Sequence, residues 1–316
     1  MPGFDLPYEP IRRSLYSKED LFAEFDPADP VSFSRMTDFA IYRHFVKEGR
    51  SAPSNPYSGM MQGLHDTSIT QATAALIASK KVAATMGGHK LPRNSPTYRD
   101  VALLSKRLTQ SGILMCSGGG PGAMEATHLG ASLFNEPDKT LDDAIGELGK
   151  IPEIPPLTNI VAADGAVDVA LVHAAHRWLK PAIRLARSIQ APGNSLAIPT
   201  WHYGHEPSTP LATHISKYFQ NSIREDGLLA LASQGVIYAE GKAGTIQEIF
   251  QDAAQNYYRT FGHFSPMVLF GEKYWKEKFP VTPVLKTLFG EADYAKYVLV
   301  TDDVNEAAHF IEDFSP

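Results

Sequence analysis

The sequence predicts an α/β fold, a doubly wound and mainly parallel sheet with helices on both faces. From Lys81 onward short apolar runs alternate with helical patterns, the order expected of strands covered by crossover helices. Val82 to Cys116 has the length of one βαβ unit, whose crossover is right-handed. Two apolar runs end in glycine-containing turns, Gly118 to Gly122 and Gly241 to Gly244, and in such sheets ligands sit beyond the strand C-termini. These features place a Rossmann-like core at residues 81–316 and leave residues 1–80 as an N-terminal extension.

Composition sets the outer limits. The 316 residues are 43% hydrophobic and 20% charged, enough to bury a sizeable core. With 29 Lys+Arg against 35 Asp+Glu the net charge is -6, a field that repels nucleic acid and leaves room for a local basic pocket only. Cys116 is the single cysteine, which excludes an intrachain disulfide and a multi-cysteine metal site; it reads as a small apolar residue closing a buried strand. The N-terminal stretch lacks the order of a secretory signal, and no run approaches the ~20 apolar residues of a membrane span. A cytoplasmic protein with neither a nucleic-acid nor a membrane partner is the expectation.

The extension is punctuated by Pro7, Pro10, Pro27, Pro30, Pro53 and Pro56, with one helical patch around Phe39, Ile41, Tyr42, Phe45 and Val46. Its apolar residues are too sparse for a separate core, so it should pack on the main domain. The first strand is Val82 to Gly88, followed by a polar loop and a helix from Tyr98 to Thr109 with Val101, Leu104 and Leu108 inward. Ile113 to Cys116 is the second strand, and the helix after its glycines gives way to an acidic stretch around Asp138 to Glu147, read as a solvated face. A helical region at Val167 to Gln190 should kink or restart at Pro181. Ser195 to Pro199 is a third strand, leading into the aromatic and polar loop Thr200 to Pro210. Thr213 to Ser233 reads as helical, Gly235 to Ala239 as a fourth strand, and the helix after the second turn runs to about Tyr258. Met267 to Phe270 and Tyr297 to Val300 complete six strands, before a terminal helix at Val304 to Phe314.

Both glycine turns pair a strand end with a helix N-terminus, where free backbone N–H groups and the positive end of the dipole favour an anion. Phosphate is the first candidate, and the two turns should converge if their strands are neighbours. Other readings compete. Gly118, Gly120 and Ala123 fit the relaxed G-x-G-x-x-A dinucleotide fingerprint, but the acidic residue required roughly 20 residues on is Asp138, with no strand before it. A phosphate-binding Walker loop fails because Ala243 follows Gly241-Lys242, and no G-x-S-x-G elbow is present. His202, His205 and Glu206, or His173 and His176, are weighed as metal ligands against ordinary packing, and no metal is expected. Thr245 with Glu248 also has capping-box spacing, in which both side chains would serve only the helix start.

The paired turns carry a resemblance. Gly118 to Gly120 followed by Gly122-Ala123-Met124, then Arg224 on the helix before the fourth strand, then Gly241, Gly244, Thr245 and Glu248, resemble the LONELY GUY family of nucleotide phosphoribohydrolases, long labelled lysine decarboxylases. The likeness is greater to its larger bacterial members, the nucleotide 5′-monophosphate nucleosidases, and spans roughly residues 80 to 305. Glu240, Lys242 and Glu225 stand where the family has Pro, Gly and Lys, and Glu125 follows Met124 in a turn one residue shorter.

The resemblance implies hydrolysis of the N-glycosidic bond of a nucleoside 5′-monophosphate, with a homodimer or higher homo-oligomer and no cofactor. Glu248 would stabilise an oxocarbenium-like sugar and activate water, with Glu125 as its alternate, and Arg224 would hold the phosphate or assist the departing base. Backbone N–H groups of Gly119, Gly120, Gly122, Gly244 and Thr245 would cradle the phosphate, with Lys242 as an added contact and Gly87, Gly88 and the polar loop after them, from His89 to Thr97, bordering the pocket. Gly118, Met124, Glu125 and Gly241 complete the nucleotide-binding set. Lys242 is the only lysine near either turn and no acidic partner for a pyridinium nitrogen is evident, so pyridoxal-dependent decarboxylation is not expected. A nucleotide-binding regulator or carrier without hydrolysis would keep the turns and differ at Glu248 and Arg224. The aromatic residues Trp178, Trp201, Tyr257 and Tyr258 suit either an interface or the core.

Overall fold

The computed structural model describes residues 6–262 and 264–315, so residues 1–5, 263 and 316 lie outside it. The extension contains α1 (Lys18–Leu21), a 3-10 turn (Pro30–Arg35), α2 (Thr37–Lys47) and α3 (Pro56–Ile77). The core opens with β1 (Val82–Met86), α4 (Pro96–Gln110), β2 (Leu114–Ser117), α5 (Ala123–Ser132), α6 (Asp138–Leu148), α7 (Val169–Ser188) and β3 (Ser195–Ala197). It continues through β4 (His214–Ile215), α8 (Asn221–Ala230), β5 (Gly235–Tyr238), α9 (Ala243–Tyr258) and β6 (Met267–Phe270). A π-helical turn (Tyr274–Lys278), α10 (Thr282–Phe289), α11 (Glu291–Tyr297), β7 (Val298–Thr301) and α12 (Val304–Glu312) close the chain.

The seven strands form one parallel sheet in the order β4-β3-β2-β1-β5-β6-β7. Every residue of β1, β2, β5 and β6 is buried, which is why these strands read as continuous apolar runs rather than alternating ones. From β1 the chain winds outward through β2, β3 and β4, then returns to lay β5 on the other side of β1. The order therefore reverses between β1 and β5, and a crevice opens there beyond the strand C-termini. The strands bearing the two glycine turns, β2 and β5, are not neighbours; β1 lies between them, and both turns reach one cavity beyond its C-terminal end.

Other elements depart from expectation for identifiable reasons. β4 falls in a stretch expected to be helical, and α8 begins only at Asn221, because Ile215 pairs antiparallel with Tyr16 of the extension (N···O 2.9 and 3.0 Å). α7 is one helix through Pro181, which lies on a half-exposed face. The acidic stretch is α6, with Leu141, Ala144 and Leu148 inward and its carboxylates outward. α3 is the largest omission. Its inward residues are mostly polar, among them Gln62, His65, Asp66 and Thr73, whereas Tyr57, Met60 and Leu64 are exposed, so the apolar periodicity points the wrong way. Asp66 and Thr73 are met by the core, Thr73 by the Ser216 hydroxyl at 2.6 Å, whereas His65 and Gln62 bond within the extension, Gln62 donating to the Arg50 carbonyl. Asp66 accepts from the N–H groups of Phe219 and Gln220 at 2.9 Å, and His65 meets the Tyr16 hydroxyl at 2.8 Å. Trp178 and Trp201 belong to the interior, while Tyr257 and Tyr258 are exposed. Among the described residues no helix is long and apolar enough to cross a membrane.

Candidate functional site

A cavity of about 570 Å³ occupies the crevice between β1 and β5. Gly87 and Gly88 enter it from the end of β1, Gly118 to Gly120 from β2, and Gly241 to Thr245 from β5. The Gly88 N–H donates to the Glu240 carbonyl at 2.8 Å and ties the two sides together at the floor.

The first turn is built for close packing. Gly119 has φ +70°, and its N–H donates at 3.1 Å to the Ser117 hydroxyl oxygen rather than pointing to a ligand. Ser117 also meets His128 Nε2 at 2.9 Å, and His128 Nδ1 meets the Ser195 hydroxyl at the same distance. Burial pushes the His128 imidazole down to about 3, so it bridges the two serines as a neutral group. A Cβ at Gly118 would fall 2.2 Å from Arg224 Nη2 and 2.7 Å from Met124 Sδ. A side chain at 118 would therefore displace the guanidinium and the thioether, which lie against the main chain there.

Arg224 extends from α8 with only 9% of its surface exposed, which distinguishes it from a surface ion-pairing residue. Its Nε donates to the Ile198 carbonyl at 3.2 Å, and its Nη1 lies 3.9 Å from Glu248 Oε1. Glu248 projects from the second turn of α9 with its side chain 17% exposed, and among the described residues its carboxylate has no partner closer than Arg224. Burial pushes this carboxyl up to about 7, Arg224 pulls it down and Glu225 adds to the rise.

The capping-box reading of Thr245 and Glu248 is not what forms. Lys242 occupies the N-cap of α9, no side chain caps the helix, and Thr245 is its third residue. The N–H groups of Ala243, Gly244 and Thr245 consequently lack intrahelical acceptors and border the cavity, with Lys242 and Lys278 beside them. Tyr274 closes this end by donating to the Gly241 carbonyl at 2.5 Å.

Gly122 and Glu125 do not line the cavity. Gly122, at φ +69°, is the N-cap of α5, packed so closely that a Cβ would fall 2.3 Å from the Gly88 carbonyl oxygen. Glu125 is fully buried beneath the turn, where Arg93 donates Nε and Nη2 to its two oxygens at 2.7 and 2.6 Å and Tyr98 donates at 3.0 Å. The Arg93 guanidinium also stacks on the Trp178 ring at 3.8 Å. This carboxylate is a structural anchor. Asp138 is likewise taken, by Lys106 at 2.5 Å, which removes the acidic residue that a dinucleotide site would need.

The polar loop after Gly88 lines the cavity with His89, Lys90, Leu91 and Pro92, whereas sequence reasoning missed Tyr203, Glu206, Tyr274 and Lys278 as cavity residues. Glu206 had been weighed only as a metal ligand; among the described residues no group of three or more His, Cys, Asp or Glu is arranged to hold a metal. The usable signal was its position in the loop beyond β3, at the same sheet edge as both glycine turns. His176 stacks on Phe25 and meets the Asp26 carbonyl at 2.9 Å. The Cys116 thiol, pushed up by complete burial, is no nucleophile.

Comparison with protein-family models and with curated proteins finds no match. Among solved structures, the chain is similar to the X-ray structure of TM1055, a Northeast Structural Genomics Consortium target. The two are 21% identical, with a TM-score of 0.43, over 74% of this chain and 99% of that one.

Proposed function

We propose that the protein hydrolyses the N-glycosidic bond of nucleoside 5′-monophosphates, releasing free base and ribose 5-phosphate. One observation carries the reading: the uncapped N-terminus of α9, the buried Arg224 and the raised carboxyl of Glu248 face a single cavity at the reversal of strand order. These are the residues through which the sequence resembles the LONELY GUY phosphoribohydrolases.

The phosphate is bound by the amides of Ala243, Gly244 and Thr245, with Lys242 and Lys278 contributing charge. As the C1′–N bond lengthens, positive charge grows on the sugar, and the Glu248 carboxylate stabilises it while accepting a proton from the attacking water. Arg224 keeps Glu248 more acidic than burial alone would and fixes its position. Self-association is part of the same reading.

Incubation of the purified protein with AMP, GMP, CMP, UMP and IMP, with assay of free base and ribose 5-phosphate, tests the proposal. Release from at least one, abolished by Glu248→Gln with nucleotide affinity retained, is the expected result. Tight binding of a nucleotide with no base released from any would instead establish a regulator or carrier.

A further inference from the structure

Besides Glu248 the cavity is lined by Glu206, Glu225 and Glu240, and Glu206 is the one carried by the loop beyond β3. Glu206, its side chain 20% exposed, feels the Arg224 charge as Glu248 does, with Oε2 about 3.8 Å from where a Cβ on Gly120 would be and Oε1 3.8 Å from His89 Nε2. No hydrogen-bond donor meets this carboxyl among the described residues, although four-fifths of its surface is covered. Its loop is held rigidly. The Glu206 N–H donates to the Tyr203 carbonyl at 2.8 Å, the Trp201 N–H to the Tyr218 carbonyl at 2.9 Å, and the Thr209 N–H to the Gly119 carbonyl at 2.8 Å. The Trp201 indole donates to Asp38 at 2.9 Å, and the Tyr42 ring lies directly against Gly204. A carboxylate on such a support is aimed into the cavity rather than trailing from the surface.

The cavity orients the substrate. The Gly119 N–H is already taken, whereas the α9 amides lack intrahelical acceptors and have Lys242 and Lys278 beside them, so the anion belongs with these. The Glu206 end is walled by the Met124 thioether, Pro199 and the half-exposed Tyr203 ring, surfaces suited to the flat face of a base. Building on the proposed hydrolysis, we propose that Glu206 is the general acid of this site and delivers a proton to the departing base. In that step the C1′–N bond breaks with its electron pair going to the base, and the Glu206 carboxyl proton passes to a base nitrogen. Water bonds to C1′ and gives its proton to Glu248, which returns it to Glu206 through solvent. Burial raises the Glu206 carboxyl from its ordinary value against the pull of His89, Arg224 and Lys90.

The test compares nucleotides with 4-nitrophenyl ribofuranoside 5-phosphate, whose leaving group departs as an anion and needs no proton. Glu206→Gln should lower kcat on the best nucleotide about a hundredfold or more, at least ten times its loss on the aryl substrate, and abolish the alkaline limb of the nucleotide pH profile. Glu206→Asp should restore part of the nucleotide rate, and product inhibition by ribose 5-phosphate should stay unchanged because the phosphate end is intact. Equal losses on both substrates, or no loss on either, would overturn the role of Glu206 while leaving hydrolysis standing. A wild-type protein that releases base from no nucleotide would overturn both.

Discussion

Replacing Glu248 by Gln is expected to stabilise the fold while stopping turnover. Burial raises the Glu248 carboxyl from 4.5 to about 7, with Arg224 opposing and Glu225 reinforcing the rise. Because the folded value exceeds the unfolded one, the folded state binds more protons across this window, and stability falls as pH climbs through it. The penalty is absent well below pH 4.5 and complete above 7. At about 1.4 kcal/mol per pH unit the full shift is worth about 3 kcal/mol, and water reaching a side chain that is 17% exposed reduces this to about 2 kcal/mol. Gln keeps the shape and never ionises, so urea unfolding of both proteins should show the variant's advantage growing by about 2 kcal/mol between pH 5 and pH 8. A difference that does not change with pH, or a wild type that gains on the variant toward pH 8, would refute the claim that a carboxylate is held against its solvation here.

Three further outcomes follow from the packing. Gly118→Ala places a Cβ 2.2 Å from Arg224 Nη2 and should cut base release on the order of a hundredfold with little change in the melting temperature, since the displaced group faces a cavity. Glu125→Gln leaves the Arg93 charge buried without its carboxylate and should cost about 3–5 kcal/mol in urea unfolding, with kcat at low temperature close to wild type. Asp38→Ala removes the carboxylate that holds Lys217 Nζ at 2.7 and 2.9 Å and the Trp201 indole; a similar loss of stability is expected, with a rise in KM as the loop carrying Glu206 loosens.

The sheet was readable wherever burial is two-sided, because β1, β2, β5 and β6 are buried along their whole length and mostly apolar, with Thr85 and Ser117 as the polar members. β4 was not, since two residues at a sheet edge carry no pattern and owe their conformation to Tyr16, some 200 residues earlier in the chain. α3 was missed for the opposite reason: it is long, but its contacts with the core are made by Asp66, His65 and Thr73 rather than by an apolar stripe. In the site, glycine turns and a helix N-terminus leave marks at fixed spacing, which is why Gly118, Gly241 and Glu248 could be named. The glutamate at 125 shows the limit of that method. Spacing put it beside the turn, and only the fold reveals that Arg93 and Tyr98 take it beneath instead.

The same fold assigns a purpose to the extension. Lys217, 1% exposed, binds Asp38 of α2 and donates to the Ser208 hydroxyl at 2.9 Å, and Ser208 lines the cavity. Burial lowers the Lys217 pKa while Asp38 raises it, so the pair is sustained by contacts that exist only when α2 is seated. The loop between β3 and β4 is thus fixed from behind by residues earlier in the chain than the first strand. A glycine turn can fold from local sequence; a carboxylate held opposite it cannot, and the extension supplies the wall against which Glu206 is held.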